Sequence, residues 1–168
     1  EVAYLKSPSP NTFGTNNPVL FGRGLVLSDD GASLVVSERG NSSLSPRPRW
    51  FARSATGWRS NIDIINTVPY ARVGDGHGTE LGLRLAFSGD GKTLLTSDAL
   101  WGHQSSGMVV ALRLGDIGWT PQANFQGTAV VPQARFGSSI SIDKAGVTIA
   151  VGALAGSPRT HLIACPAG

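Results

Sequence analysis

The sequence reads as an all-β chain of tandem four-stranded antiparallel sheets, and three observations predict it. A unit of alternating apolar residues recurs three times, opening at Phe21-Gly22, Leu81-Gly82 and Phe136-Gly137, first 60 and then 55 residues apart. Each copy sets a Gly-bearing turn between two apolar runs: Asp30-Gly31, Asp90-Gly91 and Ala145-Gly146. No 11-residue window carries the 3.6-residue period of an amphipathic helix.

The elements follow in order. Residues 2–5 resemble the fourth strand of a preceding unit, with 1–20 as that strand and its connector. In the unit 21–80, Leu25 and Leu27 alternate with Gly24 and Val26, Asp30-Gly31 turns the chain, and Leu34, Val35 and Val36 return. Alternation around an Asp-Gly pair is a strong hairpin signal, because the tight turn needs a residue at positive φ. Residues 49–53 (RWFAR) read as a third strand, Ser54 to Trp58 as a turn, and 62–65 as a fourth strand. The unit 81–135 repeats this with Leu85 and Phe87, Asp90-Gly91, Leu94-Leu95, a third strand at 108–114, a Gly-Trp turn ending at Trp119, and a fourth strand at 123–125. The unit 136–168 has Ile140 and Ile142, its turn, then Ile149 to Val151 and a third strand at 161–165, and stops before a fourth.

Four short strands per unit at this period describe the blade of a β-propeller. Solenoid units are shorter, about 20–45 residues, and an immunoglobulin-like sandwich has no internal period. The expectation is one propeller segment, residues 1–168, of about three four-stranded antiparallel blades. Propellers close with about 4–8 blades. The ring is therefore expected to be completed by further blades of a longer chain, or by a second copy whose residues 2–5 pair beside 161–165. Glu1 in place of Met adds the expectation that these residues are part of a longer polypeptide.

Composition narrows the function classes. Hydrophobic residues make up 40% and charged residues 15%, which excludes a disordered tail, and 22 Gly make the chain rich in turns. No apolar run approaches the roughly 18 residues of a membrane-spanning helix. The net charge of +3, with 11 Arg among 14 cations, falls short of the clustered patch that marks a nucleic-acid binder. The single Cys165 makes no internal disulfide, forms no zinc motif and leaves the redox compartment undecided. One glycosylation sequon, Asn41-Ser42-Ser43, lies in a polar stretch.

Phe-Gly, alternating apolar residues, S-x-D-G, then L-x-x-S or I-A-V-G-A resembles the FG-GAP repeat. The third unit, from Phe136-Gly137 through Val151-Gly152-Ala153, matches both halves of that signature. The first has Ser37-Glu38 and the second Leu81-Gly82 and Ser97-Asp98 where the signature differs. The resemblance covers residues 21–168. It implies a propeller of the kind that forms integrin α-subunit heads, an extracellular, cell-surface or organelle-lumenal setting, and partner binding on the face carrying the loops between second and third strands and the inter-blade connectors. Here those are 38–48, 99–106, 154–159, 72–80 and 131–135. Many such repeats hold calcium in a carboxylate-rich hairpin. Calcium takes about 6–8 oxygen ligands, whereas each turn here offers at most two carboxylates, with Lys92 or Lys144 adjacent in two of them. The sequence therefore predicts a calcium-free variant with Asp30 and Asp90 as turn formers, and neither metal nor cofactor.

No nucleophile–base arrangement, P-loop, HExxH or GxSxG is present, so the expected function is a non-enzymatic scaffold binding a protein or glycan partner, or a structural subunit of an assembly. Candidate ligand-binding residues are Glu38, Arg39, Arg47 and Arg49 around the first inter-strand loop, Asp75 and His77 in the connector, and Asp98, Trp101 and His103 around the second loop. Two alternatives stand. Asp75, His77 and Asp98 would be the acids and base of a lactonase- or quinoprotein-like propeller enzyme. Arg47, Arg49, Arg53 and Arg59 interleaved with Trp50, Phe51 and Trp58 would form a stacking surface for nucleic acid; against it, the same aromatic residues pack between blades. Trp101 is either packed on its own blade or a recognition residue.

Overall fold

The structure, a computed structural model, describes residues 4–7, 20–39, 48–63, 81–102, 104–127, 132–154 and 159–164. Among them the chain forms strands and no helix. The strands are β1 (Leu20–Leu27), β2 (Ser33–Arg39), β3 (Arg49–Ser54), β4 (Gly57–Asp63), β5 (Arg84–Phe87), β6 (Thr93–Asp98), β7 (Met108–Gly115), β8 (Gly118–Phe125), β9 (Ser139–Ile142), β10 (Thr148–Ala153) and β11 (Arg159–Ala164). They build three antiparallel sheets in sequential order: β1-β2-β3-β4, β5-β6-β7-β8 and β9-β10-β11. The protein is all-β, with one sheet per repeat.

The repeat survives at the level of backbone angles. Gly22, Gly82 and Gly137, which open the three units, have φ of 90°, 86° and 90°; the turn glycines Gly31, Gly91 and Gly146 have 66°, 65° and 76°. Only glycine enters this region without a side-chain penalty. The hairpins after β3 and β7 close more tightly than the sequence suggests. Ser54 pairs with Gly57 and Gly115 with Gly118, leaving two-residue loops. Trp58 and Trp119 are consequently not turn residues but the second residues of β4 and β8, paired with Arg53 and Leu114. The fourth strands start at 57 and 118 rather than at 62 and 123, since a two-residue loop lets pairing resume at once. Residues 4–7 lie outside any strand. Ser7 Oγ instead donates to Glu38 Oε1 at 2.9 Å.

Two apolar clusters hold the sheets face to face. The first joins Val35 of the first sheet to Leu94, Met108, Val110, Leu112 and Trp119 of the second, with Trp50, Phe87 and Trp101 packed at its margin. Trp119 meets Trp50 edge-on at 5.9 Å and stacks on Phe87 at 5.8 Å. The second cluster joins Leu95, Val109 and Ala111 to Phe136, Ile149 and Val151 around the third sheet. The middle sheet is thus covered on both sides. All six residues of β6 and the first five of β7 are buried, a near-continuous apolar run in β7 rather than an alternation. Each fully buried Leu, Ile, Val or Met contributes about 1.5–3 kcal/mol of burial. Between sheets, β1 meets β5, and β9 meets both β5 and β6. The approach is close. A Cβ on Gly24 would lie 2.5 Å from the Leu83 carbonyl oxygen, so β1 requires glycine there.

Candidate functional site

The two ends of the stacked sheets differ. At one end lie the hairpin turns of β1–β2, β5–β6 and β9–β10. In the first, Gly31 N–H donates to the Ser28 carbonyl, Ser28 Oγ donates to Asp30 Oδ1 at 2.6 Å, and that same oxygen accepts the Ala32 N–H at 2.9 Å. Ser88 and Asp90 repeat this atom for atom, with the Lys92 N–H as donor. In the third turn Asp143 takes over both roles, its Oδ1 accepting the Val147 and Thr148 N–H groups. All three carboxyls are held below the usual carboxylate range, because hydrogen bonds favour their charged form. The Ser28 hydroxyl is the main cause for Asp30, the Ser88 hydroxyl for Asp90 and the Thr148 N–H for Asp143. The turns also touch one another: Gly89 N–H donates to the Lys144 carbonyl, and Lys144 Nζ pairs with Asp29 Oδ2 at 3.2 Å. This donor set does not fit calcium. The carboxylates are engaged by N–H, hydroxyl and ammonium groups, and each turn has at most two of them for an ion that takes about 6–8 oxygens, several from carboxylates.

The opposite end is built from loops and connectors. The β6–β7 loop runs beside the connector entering β9: Gln133 N–H donates to the Gln104 carbonyl at 2.7 Å, Arg135 N–H to Ser105 at 3.0 Å, and Phe136 N–H to Ser106 at 2.9 Å. Leu154, just after β10, donates its N–H to the Ala134 carbonyl at 2.9 Å. Among the described residues, the only non-glycine residues at positive φ are Gln104, Ser105, Gln133 and Arg135, at 52°, 59°, 57° and 48°. All four sit in this one pair of segments. Backbone strain of this kind, about 1–3 kcal/mol per residue, concentrates where function fixes the chain.

Beside them a cleft of about 210 Å³ opens between the second and third sheets, lined by Leu83, Arg84, Ser97, Ala99, Arg135, Ser138 and Leu154. The Arg84 Nε donates to the Ser138 carbonyl at 2.8 Å, which fixes the guanidinium across the gap between β5 and β9. Ser97 is buried and donates to the Gly137 carbonyl at 2.7 Å, tying the two sheets at the floor. Arg84 and Arg135 are both exposed, and no ion pair engages either of them among the described residues. The cleft is therefore lined by two arginines with no ion pair among the described residues, beside the aliphatic side chains of Leu83, Ala99 and Leu154.

The residues singled out in the sequence fall in several places. Glu38 and Arg49 are buried and form an ion pair with each other. Arg39 is a β2 residue paired with Leu20. Asp98 is buried, its Oδ1 accepting the Leu100 N–H at 3.0 Å. Trp101 is half-buried against the first core cluster, the packed of its two readings. Arg47, Asp75, His77 and His103 lie outside the described residues, as do Cys165 and the sequon at Asn41. Of the Arg/Trp series, Trp50 packs between sheets while Arg53 and Arg59 are exposed. Among the described residues, no three His, Cys, Asp or Glu side chains gather as a metal site would need. Sequence reasoning named the connector that carries Arg135 but passed over Arg84. Its signal was a lone cation inside the apolar run of Leu81 to Phe87.

No protein-family model matches the chain, and no curated protein matches it.

Proposed function

We propose that the chain is part of an FG-GAP-type β-propeller that serves as a non-enzymatic scaffold and binds a protein partner through its loop face. The observation that carries the reading is the placement of all four strained non-glycine residues in the paired loop and connector beside the Arg84–Arg135 cleft. The propeller half rests on three repeats that each form one antiparallel sheet and pack face to face on the next, with contacts of β1 to β5 and of β9 to β5 and β6. Three open sheets do not close a ring. The reading therefore includes further blades, from the same polypeptide or from a second copy.

Two experiments test it. An experimental structure in which the three sheets turn about a common axis along β1, β5 and β9 supports the propeller; sheets related by translation alone overturn it. Binding on peptide and glycan arrays, compared between Leu154→Asp on the loop face and Asp29→Ala on the turn face, tests the scaffold. Loss with Leu154→Asp alone supports it. Loss confined to Asp29→Ala, or turnover of an array compound, overturns it.

A further inference from the structure

Resting on the loop-face reading, we infer that the cleft between β5 and β9 is a carboxylate-binding site for an acidic side chain, glutamate by preference, on a protein partner. Arg84 of β5 and Arg135 of the connector entering β9 line the same small cavity, and neither is neutralised by a carboxylate among the described residues. Two cationic residues on one small cavity favour an anion there. Arg84 spends one of its five N–H donors on Ser138, which orients the fork and leaves the rest for a ligand. Arg135 is held at φ +48°. Its own N–H is bound to Ser105, and its carbonyl accepts from the Ser138 N–H and hydroxyl. An Arg in that conformation is strained where glycine would not be.

The rest of the lining selects the carrier of the charge. Leu83, Ala99 and Leu154 offer aliphatic contact suited to the methylenes of a glutamate. Among the described residues the lining contains no aromatic ring of the kind on which a sugar stacks. Ser97 and Ser138 direct their hydroxyls to backbone carbonyls and leave the arginines as the polar recognition groups. Paired Arg forks bind a carboxylate through short, charge-assisted hydrogen bonds with defined geometry.

The test is fluorescence anisotropy with a labelled hexaglutamate peptide as probe, hexaglutamine as its uncharged counterpart, and glutarate and sulfate as competitors at matched ionic strength. Hexaglutamate is expected to bind at least tenfold more tightly than hexaglutamine, with glutarate the stronger competitor. Arg84→Gln and Arg135→Gly should each weaken hexaglutamate at least tenfold. Arg135→Gly should also raise the thermal midpoint, because glycine relieves the positive φ. That combination separates a binding residue from a structural one. Lys92→Gln, at the turn end, should leave binding unchanged. Unchanged binding in either Arg variant, an equal loss with Lys92→Gln, or stronger competition by sulfate than by glutarate overturns the carboxylate site. Failure of hexaglutamate to bind overturns it too, while loss of array binding by Leu154→Asp would still stand for the loop face.

Discussion

Replacing Gly107 with Ala puts a number on how closely the second and third sheets approach. Gly107 has φ +89° and forms a parallel bridge with Phe136, where an added Cβ would lie 2.2 Å from the Phe136 carbonyl oxygen and 2.4 Å from its nitrogen. Both neighbours are backbone atoms, so no side-chain rotation relieves the clash. A non-glycine residue at positive φ costs about 1–2 kcal/mol. Moving the Phe136 segment away also breaks its hydrogen bonds to Ser105 and Ser106, at about 0.5–1.5 kcal/mol each. The sum is about 2–5 kcal/mol, before any loosening of the fully buried Phe136 ring. Gly22→Ala is the matched control, with φ +90° and nothing within 4 Å of the added carbon; it should cost only the backbone share of about 1–2 kcal/mol. Urea titrations followed by far-ultraviolet circular dichroism measure both. Agreement of the two variants within about 0.5 kcal/mol, near the resolution of additive comparisons, would refute the close approach of these sheets.

Three further outcomes follow from the structure. Thr96 is fully buried and its Oγ1 has no hydrogen-bond partner among the described residues; Thr96→Val should raise stability by about 1–3 kcal/mol, read as a higher urea midpoint at unchanged slope. Glu38→Ala strips the buried Arg49 of this carboxylate and should cost about 3–5 kcal/mol in the same titration, whereas an exposed pair such as Asp29 and Lys144 should contribute under about 1 kcal/mol. The lowered carboxyls of Asp30, Asp90 and Asp143 bind protons more readily unfolded than folded. Their stabilisation is therefore complete above the ordinary carboxylate pKa of about 4 and is lost as pH falls below it. The urea midpoint should drop across that range, and less so in Asp30→Asn/Asp90→Asn/Asp143→Asn.

The strand order and the three turns were legible because each repeat writes the same local instructions: Gly22, Gly82 and Gly137 at one backbone position, Gly31, Gly91 and Gly146 at another. The boundaries of β4 and β8 were less so. A two-residue hairpin loop and a longer Gly-Trp turn use the same residues, and only the Ser54–Gly57 and Gly115–Gly118 pairing separates them. The Glu38–Arg49 pair was hidden because Arg49 sits in a basic stretch that resembles a surface. The cleft was hidden for a different reason. Arg84, Ala99, Arg135 and Leu154 come from four segments spread over 70 residues, and nothing local marks them as neighbours. Strain at Gln104, Ser105, Gln133 and Arg135 likewise arises from pairing between segments, so no propensity of those residue types announces it.

Enclosing the middle sheet on both sides has a consequence for how the chain avoids misfolding. An ordinary strand is protected from slipping by one residue, since the slip would push its polar side chains inward. Met108 to Leu112 offers no such safeguard: every side chain in that stretch is apolar, so a shifted alignment buries as much grease as the correct one. Fidelity must then come from the ends, where the Gly115–Gly118 corner and the Ser97–Gly137 clasp each accept a single alignment. A lengthened corner should therefore scramble this protein's centre and loosen the two outer sheets that pack on it.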